Sequence, residues 1–296
     1  MKSLLKANFH KLFRSKVFWI VFIAMPCINI YAALSDVEWL TPHKFEMKSG
    51  YVEWVGWSLS EVFTYLGHLL YFTYAVIAVI ALFVGEELSA GTIRNKILAG
   101  HSRTKLFLSY FITTYLGMVL IHIVSELVGI GFCLLRFGTG FYDKYDEYKT
   151  IKAWQTVDER LHEELHYMLQ MNLAAVIAIA GLTAITLLLM MAIGKRAPGF
   201  IAVIVYDIIS QTYVTDKLYS INTMFEWSEE SLTPSFKSTL YTLCCDPNGM
   251  INTTGEQFFM TDITKPLLWV CMCFCLLTAA VLLTAGVIVM NKRDLK

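Results

Sequence analysis

Six apolar runs, near residues 17–34, 62–84, 106–135, 172–193, 199–215 and 266–290, set the limits on what this chain folds into. A helix rising about 1.5 Å per residue needs roughly 20 apolar residues to cross the roughly 30 Å hydrocarbon layer of a bilayer. The run 199–215 barely reaches that length and carries Asp207, whereas 106–135 is long enough to tilt or to begin outside the lipid. Hydrophobic residues make up 56% of the chain and charged residues 16%, a balance that a water-soluble domain does not show. The expected fold class is an all-α integral membrane protein, a single domain over 1–296 with six transmembrane helices.

Charge sorting supports that count by a separate route. With both termini on the cytoplasmic side, the inner segments hold 14 basic residues against the acids Glu86, Glu87 and Asp294, and the outer segments hold 10 basic residues against 19 acids. Lys and Arg are retained inside, so this is the polarity of a multi-pass membrane protein, hidden behind a formal net charge of zero. The inner basic residues are scattered at membrane edges, a pattern for anionic lipid headgroups or a protein partner and not for nucleic acid.

Residues 1–16 read as an interfacial helix on the inner leaflet, with Leu4, Leu5, Phe9, Leu12 and Phe13 opposed to Lys2, Lys6 and Arg14. Pro26 and Asn29 interrupt the apolar run that follows, which argues against a cleaved leader peptide ending near Ala33-Leu34-Ser35. Outer segments at about 35–61, 136–171 and 216–265 are rich in Trp, Tyr and acids, and a helix is expected from about 152 with Leu161, Leu165, Met168 and Leu169 on one face. Cys27, Cys133, Cys271, Cys273 and Cys275 fall in spans as small apolar residues. Cys244 and Cys245 lie in the last outer segment, with their pairing left open.

The segment 85–105, GEELSAGTIRNKILAGHSRTK, is a short charged helix pattern between two apolar runs. Ile93 and Ile97 share a face at i and i+4 with Leu98 beside them, Gly100 fits a C-terminal cap, and Ser102 is placed to cap the next helix. A loop helix between two spans needs basic residues near lipid in any case, so this pattern alone leaves a purely structural role open.

That segment, GTIRNKILAGHSRTK above all, resembles the cytoplasmic loop after the second span in permease subunits of bacterial ATP-binding cassette exporters of the ABC-2 type. The opening LLKANFHKLFRSKVFW and the basic ending Asn291 to Lys296 are similar to the two ends of those subunits. The resemblance implies a multi-pass permease of a bacterial plasma membrane, paired with a second permease copy or homologue, in which Gly91 to Ala99 forms a coupling helix against a separate ATPase subunit. On that expectation Glu87, Gly91, Ile93, Arg94, Lys96, Ile97, Leu98 and Arg103 form the coupling site. Ile93, Ile97 and Leu98 would enter a groove on the ATPase, and Arg94, Lys96 and Arg103 would meet its acidic rim. No G-x-x-x-x-G-K-[ST] loop occurs in the chain, so no cofactor is expected here, and ATP and Mg belong to the partner.

Other classes compete for particular residues. An acid in a span should face protein or water, and Asp207 with Ser210 and Gln211 gives a polar strip suited to a translocation path, to a permease interface, or to the proton site of a secondary transporter. Glu126, four residues from His122, falls near the outer end of its span. Ala174, Ala178, Ala180 and Ala184 give the small-residue spacing of packed helices. His162-Glu163-Glu164-Leu165-His166 fits the zinc pattern H-E-x-x-H, but His43, His68 and His122 offer no recognisable third-ligand motif and the helix is acidic enough to be a solvated face. Glu86-Glu87 evokes the paired glutamates of intramembrane peptidases, with Arg94 too distant for that pattern.

Overall fold

Ser15 takes an extended backbone (φ −69°, ψ 125°) and stops α1 (Lys2–Arg14) just before α2 (Lys16–Ser35) begins, so that the two helices meet at 64°. Two glycines do the same work further on. Gly91, at φ 65°, separates α3 (His68–Ser89) from α4 (Thr92–Leu98) with a bend of 62°, and Gly194, at φ 68°, separates α6 (Val157–Ile193) from α7 (Arg196–Ile208). Positive φ costs little only without a Cβ, which is why glycine stands at these corners. The remaining helices are α5 (Arg103–Phe137) and α8 (Thr264–Lys292). These elements come from a computed structural model that describes residues 1–35, 43–47, 50–54, 68–137, 157–208 and 264–292.

The described parts of the six apolar runs fall on helices, α2, α3, α5, α6, α7 and α8, with residues 62–67 and 209–215 outside the described residues. Among the described residues three helices are long and apolar enough by themselves to cross a membrane, and five when each bent pair counts as one span. Helix α7 reaches only roughly 20 Å over its 13 residues, and the rest of the expected run to 215 lies outside the described residues. The outer helix expected from about 152 begins at Val157 and is continuous with the fourth span. At 37 residues α6 is roughly 55 Å long, well beyond the hydrocarbon thickness. One departure from an all-helical chain is an antiparallel strand pair, β1 (His43–Met47) with β2 (Gly50–Trp54), in register His43 to Trp54 and Phe45 to Val52. The register places Phe45 opposite Val52 and His43 opposite Trp54 on one face, with Lys44 opposite Glu53 on the other.

The chain divides into two compact units. The first comprises Met1–Val21, Tyr71–Ile121 and Ala174–Lys296, the second Phe22–Leu70 and His122–Leu173. Within the first, Ile77 and Ala81 of α3 pack with Met190 of α6 and Val203 of α7. Ala174, Ala178 and Ala184 are buried, in keeping with helix packing. Helices approach closely at glycines: a Cβ on Gly117 would stand 2.7 Å from Leu12 Cδ2, and one on Gly286 would run into the ring of Phe107, so α5 holds α1 and α8 at separations that only a missing side chain permits. Within the second unit, Asn29 is buried and donates its amide to the carbonyl oxygen of Ser125 at 2.8 Å, and His122 and Glu126 are buried.

Candidate functional site

Glu87 lies one turn past the apolar stretch of α3, and its side chain is 4% exposed. A carboxylate removed from water must be matched by donors. Lys11 of α1 reaches Oε1 at 2.6 Å. On Oε2 converge the Thr92 hydroxyl at 2.6 Å, the Lys96 ammonium at 3.0 Å and the Tyr110 hydroxyl at 2.9 Å. Glu87 therefore receives one group from α1, two from α4 and one from α5. Burial pushes its carboxyl upward, but the hydrogen bonds from Lys11, Thr92 and Lys96 and the positive charge of Lys96 outweigh that and hold it down at about 2.

Lys96 has three donors, and three acceptors meet them: Glu87 Oε2, the Tyr110 hydroxyl at 2.9 Å and Asn8 Oδ1 at 3.2 Å. The ammonium also lies 5.0 Å from the centroid of the Tyr110 ring. Asn8 in turn donates to Ser109 Oγ of α5 at 3.0 Å, and Ser109 donates to the Leu106 carbonyl. Lys11 stands 5.9 Å from the ring centroid of Phe83, which packs edge-on against Tyr110.

Helix α4 has only seven residues, too few to persist without tertiary contacts. Gly91 starts it, and Gly100 ends it at φ 90° with the paired bonds His101 N to Lys96 O at 3.2 Å and Gly100 N to Ile97 O at 2.9 Å, a Schellman closure. Ser102 then accepts the Lys105 amide at 3.4 Å at the start of α5. These are the caps the sequence indicates. Rotation of α4 about its axis is fixed by Ile93, which is 2% exposed, and by Lys96 three residues on, both facing the bundle. The opposite face presents Arg94, Asn95 and Leu98, with Leu98 75% exposed.

A family model described as ABC-2 family transporter protein matches residues 4–211, more than half of the chain and all of the helices that build this cluster. The chain belongs to the ABC-2 transporter family. It is a multi-pass membrane protein of the permease kind, and α8 lies beyond the matched stretch. Comparison with curated proteins and with solved structures gave no match.

Several side chains of this ABC-2 protein point elsewhere than expected. Ile93 is buried in its own chain and offers nothing to a groove on another protein, and Ile97 is half-buried. Lys96 faces Glu87 instead of an outer rim, because a carboxylate buried without cationic donors would be an uncompensated charge. Arg103 donates to the carbonyls of Met290 at 3.3 Å and Asn291 at 3.0 Å, closing the C-terminal end of α8. Lys11, one of the inner basic residues expected to meet lipid headgroups or a partner, is the Oε1 partner of Glu87 within the chain. Arg94 and Leu98 alone of the expected coupling residues are exposed.

Glu86 is exposed where Glu87 is buried, so the two do not form a paired carboxylate site. Asp207 is the penultimate residue of α7, while its side chain, and Ser210 and Gln211 altogether, lie outside the described residues. His162 and His166 fall on the first turns of α6 with side chains also outside them. Asn8, Thr92, Ser109 and Tyr110 were not among the expected site residues. The available signal was Asn8 itself, spaced four residues from both Leu4 and Leu12 on the buried stripe of α1.

Proposed function

We propose that this protein is the membrane-spanning permease subunit of an ATP-binding cassette exporter, driven through α4 by a separate ATPase subunit that binds ATP and Mg. The observation that carries this reading is the fixed orientation of α4: Glu87 and Ile93 lock one face to the bundle, leaving Arg94, Asn95 and Leu98 as an outward face. Such a face suits a partner with an apolar socket for Leu98 and an acidic group for Arg94. Because Thr92 and Lys96 of α4 are bonded to Glu87 of α3, and Lys96 to Tyr110 of α5, a displacement of α4 by the partner displaces those two spans with it.

In this reading α4 lies at the cytoplasmic side, where the basic residues of 85–105 and of both termini collect, and two permease chains enclose the path in a bacterial plasma membrane. Asp207, Ser210 and Gln211 serve as a polar strip along that path or at the permease interface. No nucleic acid takes part. The test is purification of the tagged chain from its native membranes. A nucleotide-binding subunit that accompanies it, and is lost on Leu98→Asp while membrane insertion is retained, supports the proposal; full retention of the subunit in that variant contradicts the assigned face.

A further inference from the structure

The polar cluster around Glu87 contains one connection that an α4 docking role does not require. A loop helix needs bonds to the span before it and the span after it, and Glu87 of α3 and Tyr110 of α5 supply those. Yet α1, which begins the chain, enters the same cluster twice: Lys11 takes the second oxygen of Glu87 at 2.6 Å, and Asn8 accepts from Lys96 at 3.2 Å while donating to Ser109.

We infer that Glu87 is a positioning residue that yokes α1 to α4, making the amphipathic first helix a second output of any force applied to α4. The inference rests on the reading that a partner pushes on α4, and adds that α1 moves with it.

The geometry favours a stiff link over a loose association. The carboxylate uses both oxygens, one toward α1 and one toward α4, so neither helix shifts along the other without breaking a charge-assisted bond to a carboxylate that is itself buried. Leu12 is fully buried and lies over Gly117, and Leu4 is 4% exposed, so the same face of α1 that carries Asn8 is packed along its length. The other face keeps Lys2, Lys6, His10 and Arg14 exposed. Through the single bend at Ser15 a movement of α1 passes directly into α2. Thus α4 has two routes into the bundle, through the helices that flank it in sequence and through α1, which is 76 positions away from its partner at Lys11–Glu87.

Hydrogen exchange on the purified complex in lipid nanodiscs tests this, comparing the nucleotide-free state with one holding a non-hydrolysable ATP analogue and magnesium. Amides of residues 4–12 and of 92–101 are expected to change protection together in the natural chain. In a Lys11→Met, Asn8→Leu variant, which retains the apolar packing of α1 and every bond between α4 and Glu87 or Tyr110, the response of 92–101 is expected to persist while that of 4–12 falls by about tenfold. In Glu87→Gln, both segments are expected to exchange faster even without nucleotide, with Glu87→Asp intermediate. A natural chain in which 92–101 responds and 4–12 does not overturns this inference and leaves the proposed function standing. A response of 4–12 undiminished in the double variant also overturns it. Absence of any nucleotide-binding subunit from the complex instead removes the proposed function.

Discussion

Lys11 and Glu87 stand 76 residues apart in sequence and meet at 2.6 Å, with the lysine partly in solvent and the glutamate closed off from it. That asymmetry tells which partner matters more. Lys11 left alone can turn to water, whereas Glu87 without its donors is a buried charge, and Lys96 without Glu87 loses the strongest of its three acceptors.

Glu87→Ala is therefore expected to destabilise the protein by about 2–4 kcal/mol, and Lys11→Ala by about 1 kcal/mol or less. Thermal unfolding of the two variants in the same detergent ranks them, and an equal or reversed order contradicts the assignment of Glu87 as the centre of the cluster.

Acid sensitivity follows from the same group. Its folded carboxyl sits at about 2 against an ordinary 4.5, so the stabilisation is complete above 4.5 and is lost as pH falls from there through the folded value. The difference in melting temperature between the natural chain and Glu87→Gln should hold steady from pH 7 to about 5.5 and narrow toward pH 3. A difference that stays constant over the whole range rules out a charged Glu87 as its source.

Two substitutions to aspartate on α4 separate packing from docking. Leu98→Asp, at an exposed position, should change stability by no more than about 0.5 kcal/mol. Ile93→Asp buries an unpaired charge and should lower stability by several times that amount, on the order of 3 kcal/mol. A loss of activity in Ile93→Asp thus reports unfolding of α4 and says nothing about a partner, whereas a loss in Leu98→Asp does.

The contact of Gly286 with Phe107 gives a prediction in the last helix. Gly286→Val should cost about 1–3 kcal/mol through overpacking, and the loss in the double variant with Phe107→Ala should fall short of the sum of the two single losses. Thermal unfolding of the single and double variants reads this directly, and additive losses would show that the two residues do not touch.

The helices were legible because apolar runs and glycine corners are local signals: Gly100 and Ser102 cap where the sequence says they should, and the described parts of the apolar runs fall on helices. The β1–β2 pair was missed because runs of five residues carry too little period-2 signal beside long apolar tracts. The partners of Glu87 were not legible, since a lysine at 11 and a tyrosine at 110 meet it only after three helices are docked. Hydrophobic spacing placed Ile93 and Ile97 on one face of a helix with Leu98 beside them, but it does not say which of them faces the chain itself. That was decided by Lys96, whose pull toward Glu87 turns Ile93 inward and Leu98 out.

The most direct test of the account is to isolate the tagged chain from native membranes and assay magnesium-ATP hydrolysis in what comes with it. The account predicts a separate nucleotide-binding subunit in fixed proportion, bound through the Arg94 and Leu98 face and released by Leu98→Asp. A chain that emerges alone, and moves its cargo across vesicle membranes with no ATPase present, contradicts it.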